Sequence, residues 1–280
     1  MYKKVAGIFL SLLLLGGCSS SMKLAYKAST AETRSYKMDV NLDQNMEMMG
    51  NEINITMQVV NFLTQRFNSV NENGTMDVSF VYDSLKFDAT GPRIESVKDE
   101  LEQQINKLRG IEIDFKIDDN GKILEFTQVD SLIPDQLRNL FNARQNFGTI
   151  FPRFPANKVK IGDSWDVEES MPVKSRFMEM NITLKTKYTL VGKQMVGGEE
   201  MLSIKIAGTM ELDGEVQRMG MSMLMEGDGD ISGDFLFDQK NGLYYSGTHN
   251  TEMDLTVSMT GQQNMTMPMS QFIKIKISKQ

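Results

Sequence analysis

The chain has 280 residues, with 37 acidic side chains against 30 basic ones and a formal net charge of −7. That balance argues against nucleic acid as a partner and against broad contact with anionic lipid headgroups. One cysteine and one histidine leave no disulfide framework and few groups that titrate near neutral pH.

The chain opens "MYKKVAGIFLSLLLLGGC". Lys3 and Lys4 form a charged head, and Val5 to Leu15 form an apolar run too short to cross a bilayer as a helix. Leu15-Gly16-Gly17-Cys18 then looks like a bacterial lipobox: a branched apolar residue, two small residues, and the cysteine that takes lipid. By that resemblance residues 1–17 are a lipoprotein signal peptide, and Cys18 anchors the mature chain to a membrane. An ordinary secretory leader with a chance cysteine is the alternative; the sole cysteine falling where a lipobox needs it decides for lipidation. Several acyl chains anchor stably where one is marginal. Ser19, not Asp, follows Cys18, which by the lipoprotein sorting pattern points to the cell envelope's outer membrane, its periplasmic or surface face left open. The assignment consumes the only thiol, and losing Lys3 and Lys4 moves the charge from −7 to −9. Residues 18–33 are expected as a lipidated tether, and 34–280 as one β-rich domain with no Pro-rich or Gly/Ser-rich linker.

Strand patterns dominate that domain. Alternation predicts strands at 34–49, across "INITMQVV" (Ile53, Ile55, Met57 and Val59 on one face), and at 73–89. "SVKDELEQQINKLRG" predicts a helix with Ser96 as N-cap, a stripe of Val97, Leu101, Ile105 and Leu108, and Gly110 as its stop. Short strands follow at 110–117 and 122–129. A second helix is expected over "PDQLRNLFNARQNFG", from Pro134 to Gly148. Strands then return at 163–170, across "FMEMNITLKTKYTL" (Met178, Met180, Ile182, Leu184, Tyr188 and Leu190 inward), and at 199–212 and 229–238. "TEMDLTVSM" places Met253, Leu255, Val257 and Met259 inward. The last strand carries Met265, Met267 and Met269 in one row with Ile273, Ile275 and Ile277. Pro268 lacks an N–H, which places that part of the strand at an edge or bulge. "NENG", "DDNG", "VGGE" and "QKNG" supply turns. "INITMQVV" and "MNITLKTK" are alike enough to raise an internal duplication. The expected fold is mainly β: a large curved antiparallel sheet or half-barrel whose two helices cover the opening.

At "FPRFPANKVKIGDSWDVEESMPV", and again at "FDQKNGLYYSGTHNTEMDLTVSM", the chain resembles a family of uncharacterised lipoproteins common in Bacteroidota. The resemblance implies no activity and no catalytic residues. At the level of fold alone the plan is similar to the half-barrel lipoprotein and lipid carriers of the LolA/LolB type. In "KIGDSW", Gly162-Asp163 suits a turn, and Trp165 reads as a buried anchor of the next strand rather than the rim of a ligand site.

Catalysis is poorly provisioned, and the chain reads as a non-enzyme. His249 is the only histidine, and no "GxSxG" elbow precedes a helix. Asp118 and Asp119 sit in the "DDNGK" turn, where turn chemistry explains them. "DGDISGD" matches the first half of a calcium loop at Asp228, Asp230, Ser232 and Gly233, but Gln239 stands where the bidentate glutamate belongs. The better reading is a strand with Asp228, Asp230, Ser232 and Asp234 facing solvent.

The chain has 23 methionines, and "RMGMSMLM" aligns Met219, Met221, Met223 and Met225. Three explanations stand. The methionines line a cavity for a hydrophobic ligand or lipid, with Met178, Met180, Met219, Met221, Met223, Met253, Met259, Met265, Met267 and Met269 as ligand-facing candidates. They fill a packed core of a structural or interaction protein. Or they bind copper(I), with His249 at the parity of Met253. Their spread over many strands disfavours a metal cluster, so no metal or cofactor is expected. Thioether flexibility favours an adaptable pocket.

Overall fold

A computed structural model describes residues 20–92, 94–127, 148–175, 178–218, 221–260 and 264–280, with backbone alone at 127, 173–175, 178, 218 and 221. The leader, Cys18, Met219 and the expected second helix up to residue 147 lie outside the described residues. Within them one antiparallel sheet holds eleven strands. They are β1 (Thr33–Met48), β2 (Asn51–Val70), β3 (Met76–Thr90), β4 (Glu112–Ile117), β5 (Ile123–Thr127), β6 (Ser164–Ser175), β7 (Met178–Val196), β8 (Glu199–Arg218), β9 (Met221–Asp238), β10 (Leu243–Thr260) and β11 (Met265–Lys279). Helix α1 (Ile94–Asn106) joins β3 to β4. It begins at Ile94, so Ser96 lies inside the first turn and is not the N-cap. Of the expected stripe, Ile105 and Leu108 are buried while Val97 is exposed.

The order β5-β4-β3-β2-β1-β11-β10-β9-β8-β7-β6 is two meanders joined where the first strand meets the last. β5 and β6 are its edges, unpaired with each other. The expected turns are present, with Gly74, Gly121, Gly198 and Gly242 all at positive φ, where glycine alone escapes a Cβ clash. β11 is central, not an edge strand. Its ladder to β1 stops at Met46↔Met269, one residue short of Pro268, so the missing N–H falls where pairing on that side has already ended.

The period-two reading holds face by face. Ile182 and Leu190 of β7, Met253, Leu255 and Val257 of β10, and Ile275 and Ile277 of β11 are buried, while Glu252, Asp254, Thr266 and Lys276 are exposed. A set of inward glycines marks where the strands of this sheet approach most closely. Gly227, Gly229 and Gly233 of β9 face large cross-strand neighbours: Gly227 lies between Leu212 and Leu255, Gly229 between Met210 and Met253, and Gly233 between Ile206 and His249. A Cβ on Gly229 would overlap the Glu252 carbonyl oxygen and stand 3.0 Å from the Met253 Cα. Glycine inside a strand marks such close backbone approach and lets a sheet curl.

At one end the curled sheet is filled by two non-repetitive segments. From residue 20 the chain is no loose tether. Met22 and Val159 exchange backbone hydrogen bonds of 2.8 and 2.9 Å, and the Lys27 N–H donates to the Gly242 carbonyl at 3.0 Å. Leu24 and Tyr26 are buried. The Tyr26 ring stacks on Phe154 at 5.0 Å, and Phe154 meets Phe237 edge-on at 4.6 Å. The Tyr26 hydroxyl donates to the Pro152 carbonyl at 3.0 Å, and burial raises its pKa well above the ordinary phenol value. Arg34, also buried, pairs with Glu32 at 2.7 Å and lies 4.6 Å over the Phe67 ring. A second cluster lies farther along the strands: Met171, Ile182, Met210, Leu212, Met253 and Leu255, with Met180, Met225 and Met269 packed against it.

On the inward row of β2, buried Asn61 and Gln65 both carry polar atoms without a partner among the described residues. Gln65 on β2 is fully buried, and neither atom of its amide has a hydrogen-bond partner among the described residues. Gln65→Met keeps the volume and removes the stranded amide, so it is expected to raise stability by about 1–3 kcal/mol in a urea titration.

On the outer face, Asp228, Asp230, Ser232 and Asp234 are exposed within a continuous strand, which replaces the calcium-loop geometry with a row of acids. Asp228 stands directly between Glu211 of β8 and Asp254 of β10, and like charges directly opposite one another destabilise a sheet. Asp228→Lys is expected to gain about 1 kcal/mol, roughly 2–4 °C in Tm. High salt should shrink the gain, because screening already relieves the wild type.

Candidate functional site

Between the two clusters the concave face leaves a cavity of about 420 Å³. One wall is the segment Gly148, Thr149, Phe151, Pro152 and Arg153, together with Gly121–Ile123 beside β5. The other is the inner face of β6 to β11: Val167 and Met171, Leu184 and Tyr188, Ile206 and Met210, Ile231, His249 and Thr251, and Ile275. Residues from both sheet edges therefore border one space, although β5 and β6 do not pair. The volume lies within the range of small-molecule sites, and so does the mix of apolar walls with a few polar groups.

The walls follow from the strand alternation described above. β6 places Trp165, Val167, Glu169 and Met171 inward, and the inward row of β8 runs Ile204, Ile206, Gly208, Met210. Trp165 is 8% exposed, donates its indole N–H to the Arg153 carbonyl at 2.8 Å, and stacks on Tyr188 at 5.6 Å. It anchors the β6 edge to the covering segment, as a buried anchor should. The Arg153 guanidinium meets Glu169 at 3.2 Å, with both side chains partly exposed, so this pair spans the gap from covering segment to edge strand.

His249 lies on the floor of the cavity and is met by the buried Tyr244. The Tyr244 hydroxyl lies 3.1 Å from His249 Nε2, and the rings stack with centroids 6.2 Å apart. The accessible surface left to His249 faces the cavity. Burial pushes its pKa down from 6.5 to about 4, since an apolar surround disfavours the charged ring. Burial likewise raises the phenols of Tyr188 and Tyr244.

The methionines expected to face a ligand divide. Met253 is buried in the second cluster with Met180 against it. Met223, Met259, Met265, Met267 and Met269 are half-buried on the inner face toward the far ends of β9, β10 and β11. Met178 and Met221 are in strands, their side chains not described, and Met219 lies outside the described residues. None of the ten lines this cavity, whose thioethers are Met171 and Met210; Met269 borders a larger, more open cleft beside Asn45, Asp228 and Asp254, and Met253 a smaller one beside it. Met171 and Met210 both share the parity of their strand's apolar row, which was the available signal, but neither belongs to a methionine repeat. Asp118 and Asp119 serve the turn: Asp118 Oδ1 accepts the Asn120 and Lys122 N–H groups at 3.0 and 2.8 Å, and Asp119 pairs with Lys23 at 2.8 Å. Among the described residues no three His, Cys, Asp or Glu side chains are grouped to hold a metal ion. In the same residues no helix is long and apolar enough to cross a membrane.

No curated protein matches the chain. Residues 133–244 match the model of a family of unknown function, DUF6263. The "VKIGDSW" stretch (159–165) and the Phe237–Gly242 turn both fall inside that span, as do Met171, Met210 and all of β6 to β9. Over that span, which includes much of the cavity wall, the chain is similar to a family whose function is unknown.

Proposed function

We propose that this is a lipid-anchored protein of the bacterial outer membrane that binds a hydrophobic small molecule or lipid in the concave face of its sheet, without catalysing a reaction on it. The carrying observation is the cavity itself: about 420 Å³ bounded by Val167, Met171, Leu184, Ile206, Met210 and Ile231. It opens beside a methionine-rich inner face that continues toward the strand ends. Flexible thioethers let such a surface accept apolar partners of varied shape. A lipid on Cys18, two residues ahead of Ser20, would tether the molecule at the end where Met22 meets Val159 and leave the methionine-bearing strand ends away from the anchor.

Trp165 reports on this site because it is the only tryptophan and stacks on Tyr188, a cavity-lining residue. An ω-brominated decanol is expected to quench it saturably, and Met210→Glu to abolish the saturable part. Quenching that is absent, or that rises linearly with probe in both proteins, would mean a filled interior and a structural protein.

A second reading has its own observation. Met223, Met259 and Met265 stand directly opposite one another across β9, β10 and β11, which puts three thioethers on one inner row, a donor set that suits copper(I). Titration against a competing chelator, with wild type and with all three changed to Leu, tests it. No tight site, or one that the changes leave intact, removes the reading.

A further inference from the structure

The polar groups around the cavity separate by charge. Lys122, Arg153, Glu168 and Glu169 belong to the turn, the covering segment and the β6 edge; Lys122 and Glu168 are exposed, and Arg153 is engaged by Glu169 at 3.2 Å. The groups from β7 and β10, Thr186, His249 and Thr251, are uncharged at neutral pH. Between them the floor is apolar: Ile231 stands opposite Thr251, and Ile206 lies across Gly233 from His249. A ligand lying there touches Ile206 and Ile231 and meets His249 and Thr251 at β10.

The hydrogen-bond arithmetic of His249 leaves a donor over. Tyr244 is 1% exposed, and a buried phenol needs an acceptor; His249 Nε2, at 3.1 Å, is the one within reach. A neutral imidazole that accepts at Nε2 carries its proton on Nδ1. No protein partner meets that N–H among the described residues, nor does a side-chain hydrogen bond engage the hydroxyl of Thr186 or Thr251. A donor left without a partner on the floor of a concave site is one that a ligand oxygen can meet. A carboxylate would have to shed its water against a floor that offers no cation.

We propose that the floor recognises an uncharged oxygen-bearing group, such as a hydroxyl, ester or ketone, on an otherwise aliphatic ligand, with His249 donating to the oxygen and Thr251, two residues on along the same strand, beside it. This rests on the reading of the cavity as a ligand site. The test is displacement of the ω-brominated decanol from Trp165 by 1-decanol and by decanoate at neutral pH, on the purified protein. Decanol is expected to displace at roughly ten-fold lower concentration than decanoate. His249→Phe should cut decanol binding about ten-fold and leave decanoate unchanged, while His249→Gln, which keeps an N–H donor, restores most of it. Thr251→Val, nearly isosteric, should lower decanol binding several-fold and serves if His249→Phe does not fold. Equal displacement by the two compounds overturns the inference while sparing the cavity reading. So does decanol binding unchanged in both Thr251→Val and any folded His249 variant. Absence of saturable quenching by the brominated probe overturns both.

Discussion

Gly229→Val is expected to destabilise the protein by about 3 kcal/mol or more. A Cβ there would overlap the backbone carbonyl of Glu252 and press on Met253. Backbone cannot yield as a flexible side chain does, so β9 and β10 must separate or the sheet must flatten. Flattening opens the contact of Met210 with Met253 and the second cluster with it. In a chain of this size the loss corresponds to a fall in Tm of roughly 6–12 °C. Gly192→Val is the control: it too lies in a strand, but a Cβ there meets nothing within 4 Å, and its effect should stay within about 0.5 kcal/mol. Thermal unfolding of the two variants beside wild type decides the matter. Equal small losses would mean that the inward glycines do not set the curvature.

The second large effect is one of pH. His249 has a folded pKa of about 4 against 6.5 when exposed. The unfolded chain therefore takes up the proton first as pH falls. Stability from the neutral, buried ring is complete above pH 6.5 and is lost between there and about pH 4. The shift corresponds to about 3 kcal/mol at the acid end. The acidic outer rows titrate in the same experiment, so the informative quantity is the difference between wild type and His249→Gln, which has nothing to protonate at this position. That difference should change by about 3 kcal/mol between pH 7 and pH 4, in favour of the glutamine variant at acid pH. A difference that stays constant with pH would place His249 in contact with water.

The faces of the strands were legible in the sequence because a side-chain period of two survives any bend of the sheet. Met253, Leu255 and Val257, or Ile275 and Ile277, point inward whether the sheet is flat or curled. The bend was not legible. "EGDGDISGD" shows its outward acids plainly, but the inward Gly227, Gly229 and Gly233 gain meaning only from the large residues opposite them, and register is not written in one strand. The same limit explains the site. Strings of methionine drew attention to Met265, Met267 and Met269, whereas the cavity falls at Met171 and Met210. Its position depends on where the β5 and β6 edges stand and on how residues 148–159 fill the space between them. Those residues have no periodicity, and neither does the stretch containing Leu24 and Tyr26. Pro268 taught a related lesson: a missing N–H requires an unpaired side at one residue, not along a whole strand.

The central claim is that the concave face holds a ligand at Met171 and Met210. Methyl-labelled methionine gives the most direct test, because buried Met38 and Met76 lie in the packed cluster and exposed Met49 and Met195 report surface adsorption. On titration with 1-decanol, the account predicts saturable shifts and ligand contacts at the Met171 and Met210 methyls, with Met38, Met76, Met49 and Met195 unmoved. Shifts confined to Met49 and Met195, or none at Met171 and Met210 at saturating ligand, would contradict it.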